Sequence, residues 1–128
     1  MKILITEDDS VSLKLLQSIL SPHGEVDTAV NGLEGLKAFQ KAWKALKPYD
    51  LICLDIMMPE MDGQELLKRI RSSENDMGVP EVKIIMTTAL DDSKNIMTAF
   101  RNQCEAYLVK PIRREKVEEH LRAFGFLA

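Results

Sequence analysis

The chain has 128 residues, the size of one ordinary domain of about 100 to 150 residues, so a two-domain organisation is excluded and residues 1–128 are expected to form a single unit. Hydrophobic residues at 45% and charged residues at 29% can fill one core without disulfide or metal staples, which removes the disordered and collagen-like classes. Seventeen basic against twenty acidic side chains leave a formal charge of −3, so the broad positive field of a nonspecific nucleic-acid binder is missing, and no apolar run approaches the ~18 residues of a membrane span.

Ile3-Leu4-Ile5 is the first strand-sized aliphatic run, and the carboxylates Glu7, Asp8 and Asp9 that follow it interrupt the hydrophobic stretch a signal peptide needs. Asp9 reads as a neighbour of this acidic group or as the start of a helix. Leu15, Leu16, Ile19 and Leu20 form a helical stripe that stops before Pro22 and Gly24, with His23 in the turn. Glu25-Val26-Asp27-Thr28-Ala29 alternates polar and apolar residues, the pattern of a half-exposed edge strand. Asn31 with Glu34 resembles an N-cap pair and opens a helix whose apolar positions Leu33, Leu36, Phe39, Trp43 and Leu46 keep helical spacing up to Pro48.

Leu51-Ile52-Cys53-Leu54 is the next apolar run, with little polar alternation, as in a parallel strand covered on both faces. Asp62 with Glu65 repeats the N-cap signal ahead of Leu66, Leu67 and Ile70. A fourth strand is expected from Val82 to Met86, and a helix after Asp91 carrying Ile96, Met97 and Phe100. Tyr107-Leu108-Val109 closes the set of strands, and Ile112 leads into a last helix with Val117, Leu121 and Phe124, with His120 on its surface. Cys53 and Cys104 lie in or beside apolar runs and read as buried free thiols, which suits a reducing cytoplasm.

Five strands alternating with five helices predict one parallel sheet with helices on both faces, because parallel neighbours need right-handed crossovers. There are too few units for a closed eight-strand barrel, so an open, doubly wound α/β sheet follows. The polar second strand belongs on an edge, which matches the order 2-1-3-4-5. Ligands in such sheets sit beyond the carboxyl ends of the strands, here between strands 1 and 3. The residues at those ends are Glu7-Asp8-Asp9, Asp55, Thr87-Thr88 and Lys110-Pro111.

Carboxylates gathered in a partly dry cleft repel one another unless a cation neutralises them. Oxygen-only ligands with no His or Cys nearby favour Mg²⁺, which takes one or two carboxylates together with water and phosphate oxygens. Lys110 as a point charge and Thr88 as a hydroxyl donor suit the remaining oxygens of a phosphoryl group. A carboxylate so placed can attack phosphorus and become an acyl phosphate.

The segments Ile3-Leu4-Ile5-Thr6-Glu7-Asp8-Asp9, Leu54-Asp55-Ile56-Met57-Met58-Pro59-Glu60-Met61-Asp62-Gly63, Met86-Thr87-Thr88-Ala89 and Tyr107-Leu108-Val109-Lys110-Pro111 together resemble the receiver domain of two-component response regulators, over essentially the whole chain. The resemblance implies a flavodoxin-like fold and a phosphorelay role, with Asp55 accepting a phosphoryl group from the phosphohistidine of a sensor histidine kinase or a histidine phosphotransfer protein. It further implies that Asp8 binds Mg²⁺ directly, Glu7 through water and Met57 by its backbone carbonyl, with Asp55 completing the metal set. Thr88 and Lys110 would contact the phosphoryl oxygens, Pro59 and Gly63 would shape the loop after Asp55, and the Lys110-Pro111 bond would be cis. A shift of Thr88 coupled to inward rotation of Tyr107 would then remodel the face built from the fourth predicted helix, the fifth strand and the last helix, where a downstream protein docks. The chain would be a cytoplasmic signalling protein and no true enzyme, and no nucleic acid or membrane contact is expected.

Several features depart from that family's pattern or compete with it. The segment from Asn31 to Asp50 looks several residues longer than usual, and Gln103-Cys104-Glu105-Ala106 replaces a small turn, which predicts a stiffer connection. Met57 and Leu90, two positions beyond Asp55 and Thr88, are apolar and cannot orient an attacking water, so slow loss of phosphate is expected. Met57, Met58 and Met61 read as loop packing, and Arg113, Arg114 and Lys116 as a solvated helix start beside the docking face. An Asp-nucleophile phosphohydrolase of the haloacid-dehalogenase kind would place a second Asp where Met57 stands. A receiver-like module that no longer uses phosphate would be expected to have lost Asp55, Asp8 or Lys110. A fragment of a longer regulator is the other alternative, and Met1 with no linker after Phe124 favours a stand-alone domain resembling a chemotaxis regulator.

Overall fold

The computed structural model describes residues 1–58, 60–89 and 104–128. Strands β1 (Lys2–Thr6), β2 (Glu25–Ala29), β3 (Leu51–Asp55), β4 (Lys83–Thr88) and β5 (Ala106–Val109) form one parallel sheet in the order β2-β1-β3-β4-β5. The described helices are α1 (Ser10–Leu20), α2 (Gly32–Lys44), α3 (Gly63–Met77) and α4 (Arg114–Ala123), with a 3-10 turn at Ser21–His23. The helix expected after Asp91 lies outside the described residues, so α4 is the last of the predicted helices.

Period-two alternation along the strands divides the core into two layers. Leu4, Ile52, Leu54, Ile84 and Met86 pack with Leu36 and Phe39 of α2 and Leu66, Leu67 and Ile70 of α3. Ile3, Ile5, Leu51, Cys53 and Ile85 face the other way, onto Leu16, Ile19 and Leu20 of α1 and Val117 and Leu121 of α4. β3, in the middle, is buried along its whole length, and β2 buries only Ala29 fully, as its polar alternation predicts for an edge. Both cysteines are buried free thiols.

The caps follow the sequence. Asn31 Oδ1 accepts the Glu34 N–H at 2.9 Å and Asp62 Oδ1 accepts the Glu65 N–H at 2.9 Å, while Asp9 caps α1 by accepting from Val11 N and Ser12 N, each at 3.3 Å. Several boundaries differ from expectation. α2 ends at Lys44, not near Pro48, and Leu46 turns to φ 58°, so it leaves the helical stripe and stands 83% exposed. Leu15 and Leu33 are also exposed, because each sits at the margin of its buried stripe. β3 and β4 extend through Asp55 and Thr88, so those residues belong to the strands they were expected to follow.

At the edge of the sheet opposite the acidic segments, Arg71 of α3 joins three elements. Its guanidinium reaches Glu74 Oε1 at 2.8 Å, both Glu105 oxygens at 2.8 and 3.0 Å, and the Val82 carbonyl at 2.9 Å. Glu74 accepts the Val82 N–H at 2.6 Å and Glu105 accepts the Ile84 N–H at 3.0 Å. Glu105, just before β5, is therefore tied to the start of β4 and to α3. No described helix is long and apolar enough to cross a membrane.

Candidate functional site

Parallel pairing brings the carboxyl ends of β1, β3, β4 and β5 to one edge. Thr6 pairs with Leu54, so the next residues, Glu7 and Asp55, point to the same face, and Asp55 pairs with Thr87. Glu7 is fully buried and Asp55 is 4% exposed, while Asp8 is open to solvent. Carboxylate oxygens from all three lie within 4.8 Å of one another.

Lys110 is the cation among them. Its Nζ lies 3.0 Å from Glu7 Oε1 and 3.5 Å from Asp55 Oδ2. Burial alone would push this ammonium down, but the hydrogen bond and charge of Glu7, with the charge of Asp55, hold it above its ordinary value. Glu7 also accepts the Asp9 N–H at 3.2 Å and, on Oε2, the Thr87 hydroxyl at 3.4 Å. Asp55 Oδ1 accepts the Met57 N–H at 3.3 Å.

Burial pushes the Asp55 carboxyl up to about 8, the hydrogen bond and charge of Glu7 add to the rise, and Lys110 opposes it. The site as built thus carries more acid than its one ammonium can balance. Asp9 behaves differently: the Ser12 hydroxyl and amide hold its carboxyl below the usual range, and its cap role takes up both oxygens.

The remaining site positions are placed around this cluster. Gly63 begins α3 directly against β3, and a Cβ there would collide with the Asp55 carbonyl oxygen, so only glycine permits this approach. The Lys110-Pro111 bond is cis. Thr88 ends β4 with its hydroxyl donating to the Ala89 carbonyl at 3.3 Å, and Tyr107 on β5 is 38% exposed. Met58 packs in the core, but Met57 is 64% exposed, contrary to the loop packing expected of it. Pro59 and Leu90 lie outside the described residues.

Thr87, which the sequence places at the end of the fourth strand without a role, donates its hydroxyl to Glu7. Counting in twos from the buried Ile85 puts Thr87 on the face of Glu7 and Asp55, and that count was the available signal.

The donor set fits a hard divalent cation: three carboxylates from two strand ends, with no nitrogen or sulfur ligand in the cluster. The sequence profile of the family described as response regulator receiver domain matches residues 3–122. The chain belongs to this receiver family.

Among curated relatives, the regulatory protein VanRB of Enterococcus faecalis is 35% identical over 132 residues, an alignment covering 99% of this chain and 55% of that protein. The chain spans about half or less of the length of the curated relatives it matches. Among solved structures, the receiver domain of Ssk1 from Saccharomyces cerevisiae, crystallised with the phosphotransfer protein Ypd1, superposes with a TM-score of 0.83 at 28% identity, covering 98% of this chain and 88% of that one. The receiver domain of the sensor kinase PA1611 from Pseudomonas aeruginosa, with magnesium coordinated in its active-site cleft, gives 0.80 at 25% identity and 97% coverage of both chains. Receiver domains are signalling modules of response regulators and histidine kinases, not true catalysts, and they bind Mg²⁺ at an acidic pocket.

Proposed function

We propose that this receiver domain, residues 1–128, accepts a phosphoryl group on Asp55 from the phosphohistidine of a sensor histidine kinase or a histidine phosphotransfer protein, inside the cell. The observation that carries this reading is the convergence of Glu7, Asp8 and Asp55 oxygens within 4.8 Å, beside an ammonium 3.0 and 3.5 Å from two of those carboxylates. An Asp55 oxygen attacks phosphorus, the O–P bond forms as the N–P bond breaks, and the imidazole nitrogen keeps the electron pair and takes a proton.

Asp8 directly, Glu7 through water, Asp55 and the Met57 carbonyl would hold Mg²⁺. When bound, this ion supplies charge neutralisation for the carboxylates and the phosphoryl oxygens. Lys110, already oriented by Glu7, is placed to follow the transferring charge, and Thr88 supplies a hydroxyl donor to a phosphoryl oxygen. Glu7, pinned by Thr87 and by the Asp9 amide, keeps Lys110 facing the cleft.

The phosphoryl group adds about −1.5 to −2 charge at Asp55, which favours whichever arrangement of Thr88 and Lys110 binds it best. Tyr107, half exposed on β5, turns inward in that arrangement. A shift from mostly inactive to mostly active needs ~5.5 kcal/mol of differential interaction. Tyr107, Lys110, Arg113, Lys116, His120 and Phe124 line a groove of about 750 Å³ along β5 and α4, and the downstream protein docks there.

Incubation with Mg²⁺ and acetyl phosphate, followed by intact mass and mapping, tests the assignment. One added phosphoryl group at Asp55, absent in Asp55→Ala and in chelator, is expected. No addition, or addition that persists in Asp55→Ala, overturns it. Thr88→Ala is expected to keep the label while weakening the change at Tyr107.

A further inference from the structure

Two exposed cations on the other helices are paired, Arg69 with Glu65 at 3.0 Å on α3 and Lys116 with Glu119 at 3.4 Å on α4, while Lys14, Lys68, Arg114 and Arg122 are exposed singly and make no ion pair with a described residue. Helix α2 differs in gathering its cations into one row. Lys37, Lys41 and Lys44 are exposed on it and Lys47 is exposed just beyond its end, four cations in a stretch, 35–49, that contains no acidic residue. None of the four makes an ion pair with a described residue.

At ~100° and ~1.5 Å per residue, Lys37, Lys41 and Lys44 fall within about 60° of arc and along about 10 Å of helix. Like charges at this spacing oppose helix formation. The helix dipole accounts for Lys41 and Lys44 in the last turn, but not for Lys37 or Lys47. The row is flanked by exposed leucines, Leu33 at 45% and Leu46 at 83%. Beside it, between α2 and the edge strand β2, runs a groove of about 380 Å³ lined in part by Lys41, Ala38, Ala45 and Tyr49. Asp27, the acid of that groove, is engaged by the Tyr49 hydroxyl at 2.7 Å, and the Lys2 ammonium is held by the Lys47 carbonyl at 2.8 Å.

We propose that this face docks an acidic helical segment of a partner protein, with carboxylates at i, i+4 and i+7 meeting Lys37, Lys41 and Lys44 and apolar side chains covering Leu33 and Leu46. Charge complementarity selects the partner's sign, and the regular spacing selects its helical form. A bilayer fits less well, because the apolar stripe of α2, Leu36, Phe39 and Ala42, is buried in the core. A long polyanion meets a chain of net −3. The proposal goes beyond the phosphoacceptor reading, since none of these lysines contacts Glu7, Asp8, Asp55 or Lys110.

The test titrates a fluorescein-labelled synthetic helix carrying Glu at i, i+4 and i+7 with the full chain, reading anisotropy and amide shifts. Expected are saturable binding, shifts confined to residues 32–47, and weakening of about tenfold in Lys37→Glu/Lys41→Glu/Lys44→Glu, whose circular dichroism stays unchanged. Equal binding by a peptide of the same composition with the Glu spacing scrambled overturns the proposal, as do shifts elsewhere or no binding. Capture of the chain by phosphatidylserine vesicles but not by the peptide assigns the face to membranes and also overturns it. Failure of Asp55 to accept phosphate would count against the phosphoacceptor reading alone.

Discussion

Arg71→Met removes the guanidinium that balances the buried Glu74 and the partly buried Glu105. The Arg71 side chain is 10% exposed, and its partners Glu74 and Glu105 are 2% and 22% exposed. Leaving buried carboxylates uncompensated costs about 3–5 kcal/mol. With an unfolding entropy of about 2.1 cal/mol/K per residue, this chain gains about 270 cal/mol/K on melting, so the loss corresponds to a fall in Tm of about 11–18 °C.

Arg69→Met, two residues away on the same helix, is the internal control. Arg69 pairs with Glu65 at 3.0 Å, but the two side chains are 54% and 46% exposed, so about 0.3–0.5 kcal/mol, or 1–2 °C, is expected. Arg71→Met/Glu74→Gln/Glu105→Gln removes the stranded charges and keeps side-chain acceptors for the Val82 and Ile84 amides, so it should recover at least half of the loss. Burial already holds the Glu105 carboxyl above its ordinary value against the pull of Arg71. Without Arg71 it protonates more readily, so Arg71→Met should be less damaging near pH 5 than near pH 8. Urea and thermal melts of the four proteins decide the matter, and a loss under about 1 kcal/mol for Arg71→Met, matching Arg69→Met, would refute the reasoning.

Burial and the neighbouring Glu7 raise the Asp55 carboxyl to about 8, so without a divalent cation it holds its proton to higher pH than an ordinary aspartate. Initial labelling by acetyl phosphate at trace Mg²⁺ should therefore rise through pH 7–9, and saturating Mg²⁺ should move the midpoint down; a flat profile contradicts this. The folded state keeps a proton that the unfolded chain loses near pH 4, so this group's contribution to stability declines as pH rises from about 4 to about 8, and added Mg²⁺ should offset the decline. Gly35→Ala would bring a Cβ to 2.8 Å from Thr6 Oγ1 and 3.1 Å from Leu66, costing about 1–3 kcal/mol in urea melts, with recovery in a Thr6→Ala background. Because Met57 offers no polar group to orient water, phosphate on Asp55 should persist in the isolated protein; rapid loss of label without a phosphatase would count against the assignment.

The strands were legible because those covered on both faces read as largely aliphatic runs, broken in β4 by Lys83 at its start, and β2 because its Glu25-to-Ala29 alternation marks an edge. The acids of the site were legible because a parallel sheet gathers its carboxyl ends. Leu46 misled because period alone does not say where a helix stops, and the backbone reverses hand there before Pro48. The link from Arg71 to Glu105 was invisible: the two are 34 residues apart, and nothing local marks an arginine as buried. Thr87 was within reach but required fixing the phase of β4, which its run of apolar residues leaves open.

The shared orientation of Glu7, Asp55 and Thr87 has a consequence for how this chain can vary in length. One residue added or lost inside β1 or β3 would rotate Glu7 or Asp55 onto the α2 and α3 side of the sheet, among leucines, and dissolve the acidic cluster. The segment from Ile56 to Asp62 can lengthen without changing which face Asp55 occupies. Tolerance of insertions should therefore change sharply from strand to loop at the carboxyl end of the sheet, and a single-residue insertion scan scored by phosphoryl uptake would trace that boundary residue by residue.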